Sequence, residues 1–94
     1  MTATYIAECF WPGVTDELVE DAGLRASRAV AELRSEGKPI SYVGSILVPE
    51  DEVVFFQFEG PSADIVREAS GRAELPIERV VESVQGTSGE RSKE

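Results

Sequence analysis

Between Ile40 and Glu59 the chain runs ISYVGSILVPEDEVVFFQFE, two stretches rich in β-branched and aromatic residues on either side of Pro49-Glu50-Asp51-Glu52. Stretches of this kind bounded by turn residues predict two strands folded back as a hairpin. A four-residue turn sets Val48 against Val53, Ile46 against Phe55, Gly44 against Gln57 and Tyr42 against Glu59. Side chains alternate along a strand, so these residues share one sheet face. The other face holds Val43, Leu47, Val54, Phe56 and Phe58 and is apolar except at Ser45. Both faces of the hairpin carry large apolar side chains, and each needs a cover.

The flanking segments supply one cover. Thr4 to Phe10 alternates and is rich in strand formers, which predicts a first strand ended by Trp11-Pro12-Gly13. Thr15 is placed as a helix N-cap, with Asp16 and Glu17 in the first turn and Val14 and Val19 spaced for a hydrophobic staple. The helix extends to about Glu36 on a stripe of Leu18, Ala22, Ala26, Ala29, Val30 and Leu33, and Gly37 then Pro39 stop it. After the hairpin, Gly60-Pro61-Ser62 opens a second helix over about residues 62–73, with Ile65, Val66 and Ala69 inward. Gly71 weakens that helix by roughly 1 kcal/mol relative to alanine. Leu75-Pro76 closes the turn, and Ile77 to Gln85 predicts a fourth strand.

The order β-α-β-β-α-β predicts an α+β, ferredoxin-like fold: a four-stranded antiparallel sheet with two helices on one face. Strands one and three form its central pair. Residues 1–85 constitute one domain, and 86–94 are a disordered polar tail.

On strand one, Tyr5, Ala7 and Cys9 belong against the helices, which leaves Ile6, Glu8 and Phe10 on the far side. That far face then carries Ile6, Phe10, Ile46, Val48, Val53 and Phe55, more apolar surface than a monomer usually exposes. Two such sheets packed about a two-fold axis would cover it, giving a homodimer of the dimeric α+β barrel type. Glu8, Tyr42, Gln57 and Glu59 interrupt the apolar face and are the polar residues placed to converge. Two carboxylates sharing a partly apolar space would have one pKa raised, suiting Glu8 or Glu59 to acid–base work. Tyr42 would donate to a developing oxyanion and Gln57 would orient a ligand, against walls of Ile6, Phe10 and Phe55. The plainer alternative is a rim in which these groups satisfy each other or water.

Composition narrows the classes. The chain has 18 acidic and 9 basic residues, net −9, a field that opposes nucleic acid and anionic membranes as partners. No signal segment or membrane span is visible, and a single cysteine fits a reducing cytoplasm. With no histidine and one cysteine, the commonest transition-metal ligands are scarce, so no transition-metal site built on them and no organic cofactor is expected. Cys9 lacks a base and suits an inert core position. Trp11 either walls a pocket or plugs the end of the core. The acidic turn at 49–52 has too few ligands for calcium, and the glycines form no nucleotide-binding pattern.

Several short motifs carry a family resemblance. Tyr5-Ile6-Ala7-Glu8, Pro12-Gly13-Val14-Thr15, Ser45-Ile46-Leu47-Val48 and Phe55 to Pro61, followed by Ala63-Asp64-Ile65-Val66-Arg67 and Leu75-Pro76, resemble a family of small bacterial proteins. It is a domain of unknown function sometimes described as nickel-binding, ferredoxin-like and a dimeric α+β barrel. The resemblance covers about residues 4–84 and implies a dimer. It also implies, in some members, a divalent metal held largely by histidines. This chain departs there, with Gly44 and Ser70 where relatives often carry histidine, so only Glu8 transfers as a site residue. The combined expectation is a cytoplasmic homodimer holding a small organic ligand, or a weakly held metal, between sheet and partner. The alternative is a cofactor-independent monooxygenase or isomerase using a Glu base.

Overall fold

The computed structural model describes residues 2–84. The elements run β1 (Ala3–Phe10), α1 (Asp16–Ser35), β2 (Ser41–Val48), a short 3-10 turn (Pro49–Asp51), β3 (Val53–Gly60), α2 (Ala63–Arg72) and β4 (Arg79–Ser83). The sheet is antiparallel in the order β2-β3-β1-β4, with β1 and β3 central as expected. This is the α+β ferredoxin-like fold. The expected tail, 86–94, lies outside the described residues.

Local chemistry sets the helix ends. The Thr15 hydroxyl accepts the Leu18 amide at 3.2 Å, satisfying one of the amides a helix start leaves without a partner. At the other end Gly37 takes φ 87°, and Lys38 N–H reaches Leu33 O while Gly37 N–H reaches Arg34 O. That pair of bonds is the Schellman closure, which needs a left-handed residue at the glycine position. α2 closes in the same way through Leu75 N–H to Ser70 O and Glu74 N–H to Gly71 O, but its left-handed residue is Glu74 at φ 57°. Gly71 lies inside α2 and does not end it.

One sheet face is sealed. Ala7, Cys9, Val54, Phe56 and Phe58 are fully buried beneath α1 and α2, with Val66, Ala69 and Leu33 filling from the helices. The small stripe Ala22, Ala26 and Ala29 lets α1 lie close on the sheet. Val19 takes the inward place expected of Leu18, which is exposed. Trp11 packs against the end of the core. Across the helix pair, Arg72 bonds Glu36 and Glu68, and Lys38 also meets Glu68. Arg25 Nε donates to Ala73 O at 2.7 Å, tying α1 to the end of α2.

Two boundaries differ from expectation. β4 begins at Arg79 and not at the expected Ile77, because Ile77 N–H bonds locally to Leu75 O and the ladder begins only after Glu78 N–H meets Glu8 O; the expected end at Gln85 lies outside the described residues. In β2 the register shifts between Tyr42 and Gly44, so Val43 has no partner on β3. A β-bulge of this kind reverses the face of what precedes it. Tyr42 therefore pairs with Phe58, not Glu59, and lies on the helix side. Val43, expected in the core, is 54% exposed.

Candidate functional site

The uncovered sheet face can be laid out from its registers, strand by strand from β2 to β4. One row is Val48, Val53, Phe10, and the next is Ile46, Phe55, Glu8, Arg79. Gly44, Gln57, Ile6, Val81 follow, and then Ser41, Glu59, Thr4, Ser83. Residues directly opposite have Cβ atoms roughly 4.5–5.5 Å apart, so each row is a line of neighbouring positions. Neither helix covers them: Phe10 is 50% and Ile46 52% exposed.

Glu8 stands in the middle of the apolar rows, flanked by Phe55 and Arg79. Arg79 Nε donates to Glu8 Oε1 at 3.0 Å, an ion pair joining β1 and β4. Arg79 was absent from the expected site, because a fourth strand placed from Ile77 leaves its cross-strand partner undefined. The available signal was compositional: Arg79 is the one Lys or Arg on any of the four strands. Gln57 lies beside Ile6 and opposite Gly44, where a Cβ would meet nothing within 4 Å, so space is open next to the Gln57 amide.

Of the expected site residues, the fold brings Glu8, Gln57, Ile6, Phe10 and Phe55 onto this face in adjacent rows. Tyr42 is not among them. Its ring packs on Phe58 with centroids 5.3 Å apart, and its hydroxyl approaches Gly23 of α1, where an added Cβ would lie 3.3 Å away. Burial raises the Tyr42 phenol pKa. Glu59 shares the open face but pairs with Thr4, four residues from Glu8, which puts the two carboxylates on the order of 13 Å apart. They do not share one space within a chain, so the like-charge argument for a raised carboxylate fails here. Glu59 instead joins Arg34, Lys38, Ile40 and Ser41 around an open depression of about 420 Å³ beside the start of β2.

Cys9 is fully buried on the sealed face, where desolvation first, then the charges of Glu78 and Glu8, push the thiol up to about 12. That is an inert core thiol. In the hairpin turn Glu50 and Asp51 are exposed, while Glu52 adopts φ 54° and accepts the Gly13 amide at 2.8 Å through its carboxylate. This bond, with Trp11 N–H to Glu52 O at 2.7 Å, fastens the β1–α1 loop to the hairpin. Gly44 and Ser70 lie apart: Gly44 is on the open face, and Ser70 is buried in α2 with no hydrogen-bond partner for its hydroxyl among the described residues. Among those residues no three His, Cys, Asp or Glu side chains gather as metal ligands would. No helix among them is long and apolar enough to cross a membrane.

No protein-family model matches the chain, and no curated protein matches it. Among solved structures it is similar to the SCO4226 protein of Streptomyces coelicolor A3(2), known from a crystal structure analysis, with a TM-score of 0.70 and 20% identity. The match covers 90% of this chain and 100% of that one, and at such identity it supports the shared fold alone.

Proposed function

We propose that the protein is a homodimer whose two open sheet faces pack together, and that it binds a small organic molecule between them. The observation that carries this reading is the open face itself. Phe10, Ile46, Val48, Val53, Phe55, Ile6 and Val81 form an apolar surface that no element among the described residues covers. A surface of that kind favours association. At its centre Glu8, Arg79 and Gln57 supply the few polar groups that orient a ligand in an otherwise apolar site. The ligand residues in this reading are Glu8, Gln57, Ile6, Phe10 and Phe55, joined by Arg79. The resemblance of its motifs to a dimeric barrel family agrees with the two-fold arrangement. The buried, uncombined thiol of Cys9 suits a cytoplasmic setting.

Sedimentation velocity at micromolar concentration tests the dimer. The wild-type chain is expected to sediment at twice its 10.2 kDa mass. Phe55→Glu, which places a charge in the middle of the apolar rows, should give a monomer, because burying an unpaired charge costs several kcal/mol. Ile46→Glu, at a half-exposed edge position, provides the same test with less risk to folding. A wild-type protein that stays monomeric at these concentrations would falsify the reading.

A further inference from the structure

We infer that the ligand carries a carboxylate next to an apolar body, and that Arg79 is the residue that holds it. The inference rests on the proposed site and specifies its chemistry. Arg79 contacts Glu8 through Nε alone, and both terminal nitrogens lack a carboxylate partner among the described residues. A guanidinium has two edges. Glu8 takes one atom of the first, and the Nη1/Nη2 edge of Arg79, whose side chain is 64% exposed, remains open as a fork for a second carboxylate.

The surroundings select the rest of the ligand. Arg79 is the sole cation on the sheet, and its nearest neighbours on the open face are Glu8 across the strand and Val81 two residues along, with Ile6 and Phe55 beyond. An anion approaching Arg79 therefore finds one positive group, already paired on one edge with Glu8, beside the apolar side chains of Val81 and Ile6. A bound carboxylate would complete a carboxylate–guanidinium–carboxylate line, and its apolar portion would lie over Ile6 and Phe55. The Gln57 amide, beside the space at Gly44, is placed to meet a polar substituent at the far end. The chain's net charge of −9 opposes anions at long range, so a small carboxylate should bind weakly and locally. Arg79 is the anchoring residue in this reading, and Glu8 positions it.

The experiment compares phenylacetate with phenylacetamide, nearly the same shape with and without charge, by ¹⁵N-resolved NMR titration of the full chain. Oligomeric state is measured on the same samples by sedimentation velocity. Phenylacetate is expected to shift the Arg79 Nε–H signal and the backbone amides of Ile6, Glu8, Phe55 and Val81 saturably, in the millimolar range. The amide should bind at least about ten-fold more weakly, since it lacks the charge-assisted fork. Arg79→Gln should weaken phenylacetate binding by a similar factor of about ten while the dimer persists, and Arg79→Lys should restore part of it. Equal responses to acid and amide, no saturable shift, or shifts centred on Arg34 and Lys38 would overturn the inference. Dissociation of the dimer by Arg79→Gln would also overturn it, because the fork would then serve a carboxylate of the second copy. A chain that is monomeric yet binds phenylacetate at Arg79 would sink the dimer and leave the anchor standing.

Discussion

Both faces of this sheet carry Val and Phe side chains, and they differ in what lies against them. On the helix side, Ala7, Cys9, Val54, Phe56 and Phe58 are wholly buried, and the ion pairs of Arg72 with Glu36 and Glu68 and of Lys38 with Glu68 stay partly exposed outside that core. On the other side, Phe10 and Ile46 remain half exposed and an ion pair sits among the aliphatic groups. Apolar content alone does not separate a core from an interaction surface. What separates them is the pairing of each residue with a covering element and the presence of a charge that a core would exclude.

The contrast can be broken most sharply by truncation. Phe56→Ala should lower folding stability by roughly 3–5 kcal/mol at any protein concentration, because a cavity opens in a closed core. Ile46→Ala in dilute solution should cost no more than about 1 kcal/mol, because its side chain is already half in water. Urea unfolding of both variants across a range of protein concentrations checks the pair. If Ile46→Ala costs as much as Phe56→Ala in dilute solution, the two faces are not energetically distinct within one chain.

A smaller effect probes the bulge that divides the faces. Val43 has no partner on β3, so its deletion would leave Tyr42 against Phe58 and Gly44 against Gln57. The deletion should be tolerated within roughly 1–2 kcal/mol, whereas deleting Gln57, which is paired on both sides in the central strand β3, would reverse the faces of the residues that follow it against β1 and should cost far more. Thermal melts followed by circular dichroism decide this. Equal damage from both deletions would mean that Val43 contributes more than spacing.

That bulge also marks where the sequence stopped being informative. The hairpin register from Val48–Val53 to Gly44–Gln57 followed from period-two alternation and a four-residue turn, and the helix caps at Thr15 and Gly37 followed from local chemistry. Those are short-range constraints. An inserted residue leaves the local composition unchanged, so Tyr42 was assigned to the wrong face, and its real neighbour, Gly23, lies on a different element. The pairing of Arg79 with Glu8 is set by how β4 returns to β1 after a helix and a turn. No spacing near Arg79 encodes it. Glu74 shows the same limit, since nothing in its side chain signals the left-handed conformation that the end of α2 requires.

The least disruptive test asks whether the sealed face is sealed to protons. Cys9 and the Tyr42 phenol both have raised pKa values through burial, Cys9 to about 12. In the unfolded chain a thiol begins to ionise near about 8.5 and a phenol near about 10. Between the unfolded and folded values the unfolded chain has released a proton that the native state retains. The native state binds more protons there, so stability is full below the unfolded value and falls as pH climbs towards the folded one. For one group the slope has an upper limit of about 1.4 kcal/mol per pH unit. Cys9→Ala should lose roughly 1 kcal/mol at neutral pH through lost packing, and should then decline less steeply than wild type above about pH 9. Tyr42→Phe should flatten the remaining slope above about pH 10. Urea midpoints at a series of pH values, with iodoacetamide labelling of the native protein as a parallel measure of access, supply the check. If Cys9→Ala keeps the wild-type slope, or if Cys9 alkylates in the native state as fast as in urea, water reaches the helix side of the sheet and the two faces are less different than their burial implies.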